Sequence, residues 1–252
     1  PWRDNFFPAG WPHSRELEYA SRRLSAIEVN GTFYRLQSPS PFAKWRDQTP
    51  EDFVFTLKAP RFVTQRRVLA DAAEPIRRFL ASGIAELGTK LGPIVWQLPP
   101  THRFEPEDLE AFLKLLPHEH AGLALRHALD VRHPSFMTGD YLALARRHRV
   151  ATVFTDSDDY PSFADLSGGF VYARLMRTEP DMPEGIRAEA LDQIAACARV
   201  WQRGDEPDAL PRIESKPPPS PPRDVFLFFI SGAKEKAPAA AMGLLRRLSP
   251  AG

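Results

Sequence analysis

The chain has 252 residues, 43% of them hydrophobic, and its 33 Lys and Arg nearly balance 32 Asp and Glu, for a formal net charge of +1. That length holds one full-sized α/β domain or two smaller ones, and the charge balance argues against a chain devoted to coating nucleic acid or a membrane surface. The single cysteine, Cys197, excludes an internal disulfide framework and any multi-cysteine metal site.

No apolar run approaches the ~20 residues of a membrane span. Residues 1–20 carry Trp, Phe and charges where a signal peptide would carry an apolar core, so a cytoplasmic location is expected.

In chain order, strand-like runs alternate with helical patterns. "AIEVN" (26–30) comes first, then a helix from "SPFAKWRDQ", where Ser40 reads as N-cap and Pro41 as the first helical residue. "FVFTLK" (53–58) precedes "DAAEPIRRFLASGIAEL", read as one helix opened by an Asp71–Glu74 capping box. "PIVWQL" (93–98) precedes "EPEDLEAFLKLL", whose Leu109, Phe112, Leu113 and Leu116 make a helical stripe. Part of residues 122–132 gives a fourth strand, followed by the helix "GDYLALARRHR". "VATVFTD" (150–156), "FVYARL" (170–175) and "VFLFFI" (225–230) complete the strands, with helices in 184–202 and 238–248. Near-continuous apolar strands are buried on both faces, as in a parallel sheet, so seven β-α repeats predict either a doubly wound sheet or a barrel. Residues 204–223 hold seven of the 26 prolines and are expected to be an exposed, poorly ordered loop within a single domain spanning 1–252.

Polar residues gather where these strands end. Glu28 and Asn30 share a strand face by alternation. Lys58 ends the second strand, Gln97 the third, Asp130, Arg132 and His133 the fourth, Asp156 the fifth, and Arg174 lies near the end of the sixth. In parallel α/β architectures that edge builds the binding site. The phosphate-binding glycine motifs and the G-x-S-x-G nucleophile elbow are both absent. The two His of "HEH" (118–120) are only a weak metal signal, and no metal ligands or cofactor are assigned.

The stretches "EVNGTFYRL", "TPEDFVFTLKAPRFVTQRRVL", "LGPIVWQLPPTHRFEPEDLEAFLKLLP", "VRHPSF" and "FVYARL" occur in an order that resembles the DUF72 family, the YecE-like proteins of unknown function. The resemblance implies a TIM-barrel-like (β/α) barrel of eight strands. It also implies that the given chain lacks strand one, which leaves seven strands and a gap beside "AIEVN". Met176 and Arg177, then Ile230 and Ser231, depart from the family pattern.

The expected function is that of an enzyme acting on a small anionic or phosphorylated substrate. Arg132, Arg174 and Lys58 would hold the anion. Glu28 or Asp156 would serve as base and His133 as acid. Asn30 and Gln97 would orient the substrate, with Tyr34 walling the pocket. A nucleic-acid-binding protein, using "RFVTQRR" (61–67), is one alternative, disfavoured by the charge balance. A non-catalytic binder of a ligand or partner is the other.

Overall fold

The computed structural model describes residues 2–3, 5–217 and 220–249. Nine strands form: β1 (Ala26–Val29), β2 (Val54–Lys58), β3 (Leu91–Gln97), β4 (Glu119–His120), β5 (Leu123–Ala124), β6 (His127–Asp130), β7 (Ala151–Asp156), β8 (Val171–Leu175) and β9 (Val225–Phe229). Seven of them make one sheet in the order β1-β2-β3-β6-β7-β8-β9, and every pairing in it is parallel. The sheet curls into a nearly closed barrel. β4 and β5 are a small antiparallel hairpin outside it, turning through Ala121 and Gly122 at positive φ.

Helices α1 (Glu16–Ser21), α3 (Pro39–Gln48), α5 (Ala73–Leu80), α6 (Pro106–Lys114), α7 (Gly139–Arg147), α8 (Ala188–Gln202) and α9 (Ala237–Leu248) alternate with the strands. Single turns α2 (Gly31–Tyr34) and α4 (Arg61–Thr64) follow β1 and β2 at once. The expected seven parallel strands are present. β1 and β9 end the sheet without pairing to each other. The N-terminal segment reaches toward the seam: Trp2 Nε1 donates to the Lys234 carbonyl at 2.9 Å and Asn5 Nδ2 to the Glu235 carbonyl at 2.7 Å.

Alternation along the strands divides the core. Leu57, Ile94, Trp96 and Leu129 face outward, against Ile76, Phe79, Leu109 and Phe112 of the helices. Each fully buried large side chain there contributes roughly 1.5–3 kcal/mol. Val95, Ala128, Val153, Tyr172 and Phe228 face the barrel interior.

Several local expectations shift. Helix α3 starts two residues early, with Ser38 as N-cap and Pro39 first; Pro41 still falls in the first turn, where no amide partner is lost. The Asp71–Glu74 box does not form. Leu69–Ala72 is a 3-10 turn whose Leu69 and Ala70 amides donate instead to the Asp108 carboxylate, at 3.0 and 2.9 Å. The long helix predicted from 71 to 87 stops after Leu80 because Gly83 takes φ 109°. A Cβ at Gly83 would sit 2.5 Å from the Pro39 Cα, so this residue also sets how closely the chain approaches α3.

The Pro-rich segment is anchored through its first half. Glu206 is buried, and its Oε1 accepts from the Leu166 amide at 3.2 Å. Asp165 accepts from the Ile213 and Glu214 amides at 2.8 and 2.9 Å, and Ile213 packs on the core. Backbone donors drawn away from water need acceptors, and Asp165 supplies them. Pro218 and Pro219 lie outside the described residues.

Candidate functional site

Parity decides which polar side chains enter the barrel. Glu28 shares a face with Ala26, Lys58 with Thr56, Gln97 with Val95, Asp130 with Ala128, and Arg174 with Tyr172. Their registers bring them level: Glu28 lies opposite Thr56, Lys58 opposite Val95, and Gln97 opposite Asp130.

Arg174 is the hub. It is 2% exposed. Its Nε and Nη2 donate to the two Glu28 carboxylate oxygens at 3.0 and 2.5 Å. Its Nη1 donates to Asp130 Oδ2 at 2.6 Å and to Gln97 Oε1 at 2.8 Å. The Tyr172 hydroxyl donates to Glu28 Oε2 at 2.6 Å and lies 3.0 Å from Thr56 Oγ1. Burial alone would lower the Arg174 pKa, but Glu28 and Asp130 outweigh it and hold it above its ordinary value. Burial, with the Glu28 charge adding to it, pushes the Tyr172 phenol well up. A planar guanidinium engaged on every nitrogen is a fixed strut across the barrel, joining β8 to β1, β3 and β6.

Arg132 donates from Nε and Nη2 to Asp130 Oδ2, at 3.3 and 3.1 Å, and its guanidinium lies 4.3 Å from the Tyr160 ring centre. Asp130 Oδ1 is buried with no protein partner. Lys58 contrasts with both arginines. It is 7% exposed, its Nζ sits 3.8 Å from the Phe33 ring centre, and among the described residues it has no ion-pair partner. Burial first, and the neighbouring Arg174 second, lower its pKa to about 8.

These groups open onto a cavity of about 1010 Å³ that extends along the β1–β9 seam. Glu28, Asn30, Tyr34, Lys58, Gln97, Arg132 and Arg174 all line it. His133 and Asp156 do not, for one reason: each lies one residue past an inward position, so its side chain leaves the barrel. The His133 ring instead accepts from the Ser135 amide at 3.1 Å, lies 2.8 Å from Ser135 Oγ, and caps the turn Pro134–Phe136. Asp156 accepts from Arg177 Nε at 2.7 Å, and Arg177 also spans Asp158 at 2.8 Å. Those two carboxylates raise the Arg177 pKa. Of the two arginines expected to hold the anion, Arg174 pairs with Glu28 and Asp130, while Arg132 turns to Asp130.

The sequence reading did not assign roles to Asp130, Tyr172, Thr56, Ser157 and Tyr160. Counting strand positions in twos from Arg132, Arg174 and Lys58 would have found the first three. Among the described residues, no group of three or more His, Cys, Asp or Glu is placed to hold a metal ion, and no helix is long and apolar enough to cross a membrane.

A family profile described as "Protein of unknown function DUF72" matches residues 1–252. The chain is 32% identical over 136 residues to the UPF0759 protein YecE of Escherichia coli K12, an alignment covering 50% of this chain and 47% of that protein. The chain thus spans about half the length of the curated relatives it matches. A DUF72 family protein of Thermotoga maritima superposes with a TM-score of 0.72 at 20% identity, covering 98% of this chain and 94% of the other. One from Enterococcus faecalis superposes at 0.68 and 15% identity, covering 92% and 93%. At those identities the superpositions establish the barrel fold.

Proposed function

The chain belongs to the DUF72 family, and from that premise we propose that its cavity binds a small anionic or phosphorylated molecule and transfers a proton to it. The observation that carries this reading is Lys58: a buried cation on the cavity wall with no carboxylate of its own. Burying an unpaired ammonium is costly, and a ligand anion would supply the missing counter-charge. Arg132 keeps its Nη1 free of the protein bonds that hold its other nitrogens, and would be the second anion contact.

Arg174 is spoken for by Glu28, Asp130 and Gln97. It therefore serves as a positioning residue, and so does Glu28, one of the two alternative bases offered by the sequence. With a pKa of about 8, Lys58 is mostly protonated at neutral pH yet gives up its proton readily, which suits a general acid. Asn30 and Tyr34 lie at the cavity mouth and would orient the ligand's uncharged part.

The test is a thermal-shift and calorimetry panel of phosphate, pyrophosphate and small phosphomonoesters against the wild-type chain and Lys58→Met. The reading expects binding to the wild type that Lys58→Met loses, with Arg132→Met weakened. Equal binding by all three proteins would overturn it.

A further inference from the structure

We propose that the loops following β1, β2 and β3 form a docking face for single-stranded nucleic acid beside the cavity mouth. The net charge of +1 conceals an uneven distribution. These three loops leave the same end of adjacent strands and carry Arg35, Arg61, Arg66, Arg67 and Arg103. Among the described residues none of the five arginines pairs with a carboxylate; the ion pairs of this end belong to Arg132, Arg174 and Arg177. Arg35, Arg61, Arg67 and Arg103 are exposed. Arg66 Nε is buried without an acceptor, and a phosphate oxygen would satisfy it. The loops after β7 and β8 lean the other way: Arg177 is taken up by Asp156 and Asp158, which leaves Asp159, Glu179 and Asp181. A strand of phosphates is therefore drawn to one half of the rim and repelled from the other, which fixes its path.

A second observation separates a nucleic acid from a generic polyanion. Among the described residues the exposed large hydrophobic side chains are Tyr34 at 64%, Val68 at 43% and Met137 at 44%. Tyr34 and Val68 lie in the loops after β1 and β2, among the arginines, and Met137 follows the neighbouring β6. The Tyr34 and Phe33 rings stand nearly perpendicular at 5.1 Å, and the exposure of Tyr34 leaves ring surface for a base. Cations that track a backbone, interleaved with an open aromatic ring, are what unpaired nucleotides require, and bases locked in a duplex cannot stack on such a ring. This inference shares only Tyr34 with the cavity reading and does not rest on it, because Lys58 and Arg132 take no part in it.

Fluorescence anisotropy with a labelled twenty-nucleotide oligothymidine tests it. The proposal expects binding at 50 mM salt that weakens about 100-fold by 200 mM if each of the five arginines meets a phosphate. Arg61→Glu/Arg67→Glu should weaken binding more than tenfold. The control Lys44→Glu/Arg77→Glu removes the same charge from two outer-helix positions and should retain it. Tyr34→Ala should lose about tenfold for the oligonucleotide and nothing for inorganic polyphosphate. Circular dichroism confirms that each variant is folded. Absence of binding at 50 mM salt, equal loss in the control, or equal affinity for a duplex or for polyglutamate would each overturn the proposal, the last in favour of an acidic protein partner. Phosphate binding by Lys58 in the cavity is measured separately and stands or falls alone.

Discussion

Two buried lysines sit at opposite ends of the barrel and are treated oppositely. Lys90, 8% exposed, precedes β3 at the end where strands begin. Its Nζ donates to the Arg46 carbonyl at 2.5 Å, the Thr49 carbonyl at 2.7 Å and Thr49 Oγ1 at 3.1 Å. It thereby closes the C-terminal end of α3, where carbonyls lack helical partners and a cation is favoured. Lys58, 7% exposed, ends β2 where strands finish; its neighbours are an aromatic face, two arginines that disfavour its charge and, at more than ion-pair distance, Glu28 and Asp130, which favour it less than burial and the arginines oppose it. One lysine meets all its needs inside the protein. The other has no ion-pair partner among the described residues, and this difference is why the proposed ligand is placed at its end of the barrel.

The largest effect should come from the frame beside Lys58. Asp130→Ala strips Arg174 and Arg132 of a shared acceptor and should cost about 3–5 kcal/mol in urea melts, the scale of a broken buried ion pair. A loss under about 1 kcal/mol, the scale of a surface pair, would mean that Glu28 and Gln97 hold Arg174 unaided.

Lys90→Met should follow, at about 2–3 kcal/mol, because it leaves the α3 carbonyls unpaired in a buried place. Lys58→Met should have the opposite sign and stabilise the chain by about 1–2 kcal/mol at pH 7, since Glu28, Asp130 and the Phe33 ring repay only part of the burial of that charge. The two lysines would lose their contrast if both replacements shifted the melting temperature the same way.

The pH dependence sharpens the same point. Lys58 has a folded pKa of about 8 against an ordinary value of 10.5, so between those values the folded chain binds fewer protons than the unfolded one. Stability therefore rises with pH through that window and is penalised below it. The penalty should be about 2 kcal/mol after allowance for relaxation. Melts of the wild type and Lys58→Met between pH 7 and 10.5 should converge as the pH rises; parallel curves would contradict the assignment. The smallest effect is expected for His133→Ala, about 1 kcal/mol from the loss of one cap, with anion binding unchanged.

The fold was legible because parallel strands buried on both faces leave apolar runs, and each of the seven barrel strands lies within a predicted run or a residue or two of it. The open seam between β1 and β9 was expected from the family resemblance, which implied a gap beside "AIEVN". Finer features depended on facts that local sequence does not carry. Asp108 caps a turn nearly forty residues away, so the nearer Asp71 looked like the cap. The Pro-rich segment looked free because its anchors, Asp165 and Glu206, act across some forty residues or more. At the site, strand ends identified the correct face, but residue type outweighed parity: His133 and Asp156 looked catalytic by chemistry and point out of the barrel by position. Asp130, the chemically plainer residue, faces in.

In the proposed function Lys58 is a buried cation without an ion-pair partner, kept for an anionic ligand. Titration of its side chain by carbon-detected NMR, with lysine labelled at Cε and Lys58→Met used for assignment, measures this directly. The expected midpoint lies near pH 8 and moves upward by about one unit or more in saturating phosphate, because a bound anion favours the charged amine. A midpoint at the ordinary lysine value that phosphate leaves unmoved would contradict it.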